Sequence, residues 1–201
     1  MGIYDRYLAL RSRLHEGSPP RHVCLVLTER DLLERGAYDT LEAALKWAFE
    51  FEAQRVTVYV SVLDPAASKT LATQLRAIDA PRPMAIREPD DSDQVTEPIQ
   101  ISIGLGGKRE FVRAIQAIAT DAAASPTKTE VTSTDIENRL VFPDEPDLVI
   151  KTGAERLSDF MIWQSVYSEL YFTDVNWRDF RRRDYLRAVL DFKRRQRRFG
   201  H

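Results

Sequence analysis

The stretch RHVCLVLTERDLLERGAYDTLEAALKWAFEFEAQRVTVYVSV, residues 21–62, holds two apolar strand-like runs separated by one helical segment. Both runs are apolar throughout, which is typical of strands covered on both faces. In the segment between them we expect Asp39 or Thr40 to be the N-cap of a helix. One apolar face of that helix is formed by Leu41, Ala44, Leu45 and Ala48. The stretch predicts two strands of a parallel sheet joined by a helix.

The same alternation continues through the rest of the chain. A second helical segment, KREFVRAIQAIATDAA, carries Phe111, Ile115 and Ile118 at helical spacing, and we expect these three to form its apolar face. Further strand-like runs lie at 83–88, 98–104, 147–153 and 169–174. The predicted fold class is therefore α/β, with a single domain built on a mostly parallel sheet flanked by helices.

The bulk composition fits one globular domain. The chain has 201 residues, of which 43% are hydrophobic and 30% charged, and a single cysteine, which excludes an internal disulfide framework. No apolar run is long enough to span a bilayer, and MGIYDRYLALRSR lacks an apolar signal core, so we expect a cytoplasmic protein. Residues 1–201 are expected to form one domain, with residues 1–20 as an N-terminal helix and lead-in.

Charge is unevenly distributed along the chain. Residues 178–198 contain ten Lys/Arg and three Asp/Glu, a net of +7, whereas residues 1–177 carry a net of −9. A narrow apolar stripe runs along this basic segment, formed by Tyr185, Leu186, Val189 and Leu190. Three interpretations remain open: a nucleic-acid arm, a membrane-surface helix, or a helix packed on the body with arginines facing a phosphate ligand.

Ligands of parallel α/β sheets bind beyond the carboxyl ends of the strands, so the residues after each strand are the candidates for chemistry. After the first strand, Thr28, Glu29 and Asp31 could help to ligate Mg²⁺, although TERDLLERG also fits an ordinary capped helix start. After the strand at 98–104, GLGGKRE is a tight turn whose glycines and following helix could approach a phosphate.

The stretch IKTGAERLSDF, residues 150–160, gathers Lys151, Arg156 and Ser158 around Gly153. Two cations and a hydroxyl at a strand exit favour an anion site, and a solvated surface turn is the alternative. The three histidines are too scattered for a metal cluster. Of these, His22 is expected to be structural, and Cys24 a small buried hydrophobe.

Residues 147–200 closely resemble the C-terminal segment of cis-prenyltransferases, the undecaprenyl and dehydrodolichyl diphosphate synthases. The family pattern there runs RTGGExRxSNF, then WQxxYxELYFTDxxWP, then a helix ending in RRFG. Here the corresponding residues read KTGAERLSDF, WQSVYSELYFTDVNWR and RRFG. Weaker similarity extends to GLGGKREFVRAI, which resembles the NYGGRxEI segment, and to RHVCLVL, which resembles the first strand.

The resemblance implies a butterfly-shaped dimer that condenses isopentenyl diphosphate with an allylic diphosphate. It assigns isopentenyl diphosphate binding to Lys151, Arg156 and Ser158, although Lys replaces the first family arginine and one residue is missing before Arg156. It associates Glu169 with the dimer contact and the metal region. The terminal RxG motif, Arg198, Phe199 and Gly200, would reach into the partner's active site, where Arg198 and Gly200 contact isopentenyl diphosphate.

The first strand departs from the family. Where family enzymes have MDGNxRW, whose aspartate positions Mg²⁺, this chain has LTERDLLER, with Thr28 at the aspartate position. The SxEN stretch after the second strand is absent too. This combination resembles the non-catalytic, Nogo-B receptor-type subunit of heteromeric enzymes, which implies a catalytic partner that mainly holds the Mg²⁺.

Two alternatives remain open. One is a self-sufficient enzyme in which Glu29 or Asp31 takes the metal role. The other is a nucleic-acid-binding protein that uses its basic tail, which is disfavoured because the tail's aromatic residues occupy packing positions. We therefore expect no nucleic-acid partner, and a peripheral position at the cytoplasmic membrane face remains open.

Overall fold

The computed structural model describes residues 3–64, 66–91, 93–124, 130–153 and 160–195. Six strands and seven α-helices alternate along these residues, with a 3₁₀ turn at Trp177–Asp179. The strands are β1 His22–Thr28, β2 Arg55–Ser61, β3 Met84–Arg87, β4 Ile99–Ile103, β5 Leu148–Thr152 and β6 Glu169–Thr173. The helices are α1 Ile3–Leu14, α2 Glu29–Leu33, α3 Ala37–Glu50, α4 Ala67–Arg76, α5 Gly107–Ala124, α6 Ser133–Glu137 and α7 Arg182–Arg194.

All six strands belong to one parallel sheet in the order β3-β4-β2-β1-β5-β6. Each coincides with one of the six predicted runs, so the α/β fold class and the parallel sheet are confirmed. β1 lies at the centre, where Val23 is level with Val56 of β2 and Leu148 of β5. The carboxyl ends of β1, β2 and β5 therefore meet at one edge of the sheet, which is where a ligand site is expected.

The two faces of the sheet are covered by different elements. On one face, Leu25, Val58 and Ile101 pack in a large cluster with residues of α3, α4 and α7. On the other face, Cys24 and Tyr59 join a smaller cluster, completed by residues at 141–142 and 160–161. Both faces are covered, so residues of β2 and β4 are buried whether apolar or polar, as Thr57, Gln100 and Ser102 are on the second face. Cys24 is buried, as predicted.

The helix predicted between β1 and β2 is α3, and its four predicted apolar residues are all fully buried. Its predicted N-cap is wrong. The helix starts at Ala37, two residues before Asp39, and the N-cap is Gly36 with φ of 83°. This left-handed backbone favours glycine and turns the chain sharply from α2 into α3, so the helix begins before either side-chain cap is reached.

The apolar face predicted for the second helical segment, α5, is confirmed for Phe111 and Ile118, which pack against a cluster with Ile136 and Leu140, but not for Ile115. The buried residues of α5 are Gly107, Glu110 and Ala114, whereas Ile115 is 41% exposed. A Cβ on Gly107 would lie 2.9 Å from the backbone nitrogen of Met161. The start of the helix therefore approaches the backbone at 160–162 through a residue without a side chain, Phe111 and Ile118 pack toward α6, and Ile115 faces outward.

The basic C-terminal segment forms α7, which packs on the body of the protein. All four residues of the predicted stripe are buried, and α7 contacts α1, α3, β5 and β6. Of the three interpretations of this segment, its packing supports a helix on the body rather than a free arm. None of the described helices is long and apolar enough to cross a membrane.

Candidate functional site

The end of β1 is closed by a reciprocal pair of hydrogen bonds. The Thr28 hydroxyl accepts from the Asp31 N–H at 3.2 Å and donates to the Asp31 carboxylate at 2.9 Å. The same Asp31 oxygen accepts the Thr28 N–H at 2.8 Å. This is a capping box, so Thr28 and Asp31 form the ordinary helix start that was one of the two interpretations of this loop.

Glu29 links the ends of β1 and β2. Its carboxylate accepts the backbone N–H of Leu63 at 3.0 Å and that of Asp64 at 3.3 Å. In this arrangement the Glu29 side chain points at the loop that follows β2. Glu29 and Asp31 are thus held by different partners, and each carboxylate already has a structural role.

The residues at the end of β1 do not fit a Mg²⁺ site. Mg²⁺ requires near-octahedral oxygen ligands and is usually bound through one or two carboxylates. The carboxylate beside Thr28 is that of Asp31, and it accepts two hydrogen bonds from Thr28. The Thr28 side chain itself offers only a hydroxyl. Among the described residues, no group of three or more His, Cys, Asp or Glu side chains could hold a metal ion.

At the end of β5, Lys151 is buried, with only 3% of its surface exposed. Its ammonium donates to the Thr152 carbonyl at 2.6 Å, and its side chain lies on the same sheet face as that of Val149. Gly153 then leaves the strand with φ of 74°, and its N–H donates to the Val175 carbonyl. Of the predicted anion contacts, Lys151 is therefore a buried cation at the carboxyl end of β5.

The other predicted anion contacts, Arg156 and Ser158, lie outside the described residues, and so does the predicted RxG motif of Arg198, Phe199 and Gly200. Their roles stay predictions. Lys151 and Thr28 lie at the same edge of the sheet, because Lys151 is level with Val26, two residues before Thr28.

Glu169 lies at the amino ends of the strands, whereas Thr28 lies at their carboxyl ends. Glu169 begins β6 level with Leu148, and its carboxylate accepts from the Arg195 guanidinium at 3.1 Å. Four residues of strand separate the level of Glu169 from that of Thr173, a length of about 13 Å. Within this chain Glu169 is therefore not brought together with Thr28 or Lys151, and its predicted role in a metal region or interface stays a prediction.

Sequence reasoning missed a buried carboxylate in α5. Glu110 accepts the N–H groups of Val141 and Phe142 at 2.8 and 3.4 Å, and the Gln164 amide at 3.1 Å. Burial raises the pKa of Glu110 above its usual value, against the opposing effect of these hydrogen bonds. Glu110 joins α5 to the segments before β5 and β6, and an acidic residue three positions into a predicted helix was the only available signal.

Sequence reasoning also missed an open cleft of 450 Å³ between the start of α3 and the 3₁₀ turn. Arg35, Arg178 and Arg181 line it, together with Asp39 and Asp179. α3 has no side-chain hydrogen bond at its N-cap, so its first N–H groups add positive potential to this cleft. Arg178 is paired with Glu34 and Asp179, which leaves the cleft only weakly cationic.

Comparison with known proteins identifies the family. The family model described as "Putative undecaprenyl diphosphate synthase" matches residues 82–200, more than half of the chain. The crystal structure of lavandulyl diphosphate synthase from Lavandula x intermedia superposes with a TM-score of 0.71 at 19% identity, over 92% of this chain and 99% of that one. That superposition shows the shared fold. The chain belongs to the cis-prenyltransferase family.

Two curated relatives are similar in sequence. A tritrans,polycis-undecaprenyl-diphosphate synthase (geranylgeranyl-diphosphate specific) of Thermoplasma volcanium is 47% identical over 107 residues, covering 51% of this chain and 41% of the relative. Isoprenyl transferase 1 of Corynebacterium diphtheriae is 36% identical over 155 residues, covering 69% of this chain and 58% of the relative. The chain thus spans about two fifths to three fifths of the length of these relatives.

Proposed function

We propose that this chain is an accessory, non-catalytic subunit of a heteromeric cis-prenyltransferase. The complex would make a long-chain polyprenyl diphosphate, a lipid carrier of glycans, from isopentenyl diphosphate and an allylic diphosphate. The observation that carries the proposal is the capping box at the end of β1. In it Thr28, which the resemblance aligns with the family aspartate that positions Mg²⁺, offers only a hydroxyl that is bonded to Asp31.

Replacing Thr28 by aspartate would not by itself restore the site of the family pattern. An aspartate at position 28 would lie next to the Asp31 carboxylate, whose oxygen is 2.9 Å from the Thr28 hydroxyl. Two carboxylates at that distance repel unless one is protonated or a cation lies between them. The end of β1 is therefore organised around Thr28, and we assign the Mg²⁺ and the allylic diphosphate to the partner subunit.

In the complex, this chain would contribute its C-terminal RxG motif to the partner's active site. Its own isopentenyl diphosphate residues would be Lys151, Arg156 and Ser158. Lys151 supplies a buried positive charge at the correct edge of the sheet, where attraction to a diphosphate is stronger than at a solvated surface. To reach a ligand, its ammonium must turn at least one proton away from the Thr152 carbonyl.

An exposed apolar surface supports assembly with another subunit. We call it the edge patch, and it comprises Ile162, Val166, Tyr167, Leu170 and Phe172. β6 is the last of the described strands in the sheet, so no described strand pairs with its outer backbone edge. Several large exposed apolar side chains on and just before an edge strand are characteristic of a protein interface. The butterfly-shaped dimer would use this surface.

The test is incorporation of labelled isopentenyl diphosphate into polyprenyl product with three preparations. These are this chain alone, a cis-prenyltransferase subunit that has the Asp-Gly-Asn motif, and the two together. We expect activity of the mixture to exceed that of the partner alone by at least tenfold, and this chain alone to be inactive. Deleting residues 198–201 should remove the activation while leaving the subunits associated. Strong Mg²⁺-dependent turnover by this chain alone would overturn the proposal.

A self-sufficient enzyme is the second candidate, because the curated relatives are named as synthases and transferases. In that case Glu29 or Asp31 would have to leave its present partners and bind the metal. The double variant Glu29→Ala/Asp31→Ala would then abolish turnover of the chain alone. If the purified chain shows no turnover to begin with, this candidate is rejected.

A further inference from the structure

The N-terminal helix α1 is attached to the protein through a narrow face. Leu8 and Ser12 are its buried residues, and it packs against α7. At one end the Lys193 ammonium donates to the Ser12 carbonyl at 2.8 Å, and at the other the Arg187 guanidinium lies 5.5 Å from the centre of the Tyr4 ring. Polar and cation–π contacts therefore account for much of the attachment.

The outward face of α1 is its more apolar face. Tyr7, Leu10 and Leu14 are 53%, 58% and 74% exposed. With 3.6 residues per turn, these three side chains fall within an arc of about 60°, roughly opposite Leu8 and Ser12. A helix of a globular protein normally turns its apolar stripe to the core. α1 does the reverse, so its apolar stripe is left uncovered by the described residues.

Arginines border this stripe on both sides. Arg6 and Arg13 lie along one side of the helix and Arg11 along the other, and all three are exposed. The neighbouring helix α7 adds the exposed Arg187, beside Tyr4. An apolar stripe bordered on both sides by cations, with a tyrosine at its edge, is the pattern of a helix that lies in a membrane interface.

We propose that α1 docks this protein on the surface of a lipid bilayer that carries anionic headgroups. Tyr7, Leu10 and Leu14 would enter the boundary between headgroups and acyl chains, and the arginines on both sides would contact lipid phosphates. The charge pattern selects this occupant. A second copy of the chain would bring the same arginines face to face, and a nucleic acid would leave the central stripe in water.

This inference does not rest on the proposed subunit role, because docking through α1 requires neither Thr28 nor the edge patch. Failure of the partner assay would leave the docking surface intact, and failure of docking would leave the activation of a partner unaffected in detergent solution.

The experiment is vesicle flotation of the full chain. One set of vesicles is phosphatidylcholine, and the other is an equal mixture of phosphatidylcholine and phosphatidylglycerol. We expect binding to the anionic vesicles that falls steeply with added salt, because salt screens the arginine–phosphate attraction. Absence of binding to the anionic vesicles at physiological ionic strength would overturn the proposal.

Two variants test the face itself. Leu14→Ser should weaken binding to anionic vesicles about tenfold, because the residue is placed to bury its side chain in the bilayer. Its matched control is Leu33→Ser, since Leu33 on α2 is also 74% exposed, and this variant should bind as the parent does. The triple variant Arg6→Gln/Arg11→Gln/Arg13→Gln should lose about fivefold per arginine on anionic vesicles only.

Circular dichroism and thermal unfolding verify that these surface variants remain folded. Equal binding by the parent, Leu14→Ser and the arginine variant would refute docking through α1. A change in oligomeric state on Leu14→Ser, without a change in vesicle binding, would show that the stripe is a protein interface and would also refute it.

Discussion

At the scale of single residues, three buried polar side chains form a chain of hydrogen bonds across the sheet. His22 is bonded to the Thr57 hydroxyl at 2.8 Å and to the Glu145 carbonyl at 3.1 Å. Thr57 in turn donates to the Gln100 side chain at 3.3 Å. His22 was expected to be structural, and its contacts confirm that expectation. Burial, with the positive charge of Arg55, lowers the pKa of His22 to about 4.

This pKa predicts an acid-sensitive fold. A histidine in the unfolded chain has a pKa of about 6.5, whereas folded His22 has a pKa of about 4. Between these two pH values the unfolded chain therefore binds a proton at this position and the folded chain does not. The contribution of His22 to the free energy of unfolding should therefore be fully present above pH 6.5 and fall by about 3 kcal/mol as the pH drops to 4. Urea unfolding of the parent and of His22→Gln across this range measures the effect.

The difference between the two proteins isolates His22. The raised pKa of Glu110 acts in the opposite direction, since a group that gains a proton on folding stabilises the fold as the pH falls. Glu110 is present in both proteins, so its contribution cancels. A parent and a variant whose stabilities run parallel from pH 6.5 to 4 would contradict the prediction.

At the scale of elements, the start of α2 shows how a few neighbouring side chains fix the end of a strand. α2 is only five residues long, and its first turn is held by the Thr28 and Asp31 side chains. The helix keeps the Glu29 carboxylate directed at the loop after β2. The capping box therefore stabilises the helix, and the Glu29 carboxylate ties the end of β1 to the loop that follows β2.

Removing the cap should have a measurable cost. Thr28→Val keeps the shape of the side chain but loses its hydroxyl, so we expect a loss of about 1 kcal/mol in the free energy of unfolding. Thr28→Ser keeps the hydroxyl and should stay within about 0.5 kcal/mol of the parent. Denaturant unfolding compares the three proteins. A loss in Thr28→Ser as large as that in Thr28→Val would contradict the prediction, because the serine variant keeps the hydroxyl and lacks only the methyl group.

At the scale of the whole molecule, the covering of the sheet is incomplete at one end. β1 and β2 are buried on both faces, whereas Leu170 and Phe172 of β6 face outward on the side of the sheet that carries Val149 and Lys151. These two residues are 37% and 55% exposed. The described fold is therefore complete around β1 and open around β6, in agreement with a protein that functions as part of an assembly.

We predict that the edge patch mediates subunit association. Phe172→Glu should weaken association by at least tenfold, because the substitution places a charge in a surface that must lose water on assembly. Sedimentation velocity over a concentration series measures this. Val131→Glu is the matched control, since Val131 is 55% exposed, like Phe172, and lies outside the patch. Equal behaviour of the two variants and the parent would contradict the prediction.

The sequence predicted the strands and α7 more accurately than it predicted the residues of the candidate functional site. The six strand-like runs and the stripe from Tyr185 to Leu190 were found because alternation and helical spacing are local patterns. The outcome for α5 was different, because its buried face depends on how closely the backbone at Met161 approaches Gly107. Periodicity identifies a helix but does not say which neighbour the helix will pack against.

The sequence by itself determined the α/β class, the parallel sheet, the burial of Cys24 and a structural His22, and it offered a helix start at Thr28 as one of two interpretations. Each of these follows from residues close together in the chain. Only the tertiary structure decided that Glu29 bonds the loop at Leu63, that Glu110 binds Gln164, and that α1 turns its apolar stripe outward. Those features depend on distances between residues far apart in sequence, and such distances are fixed only when the elements pack.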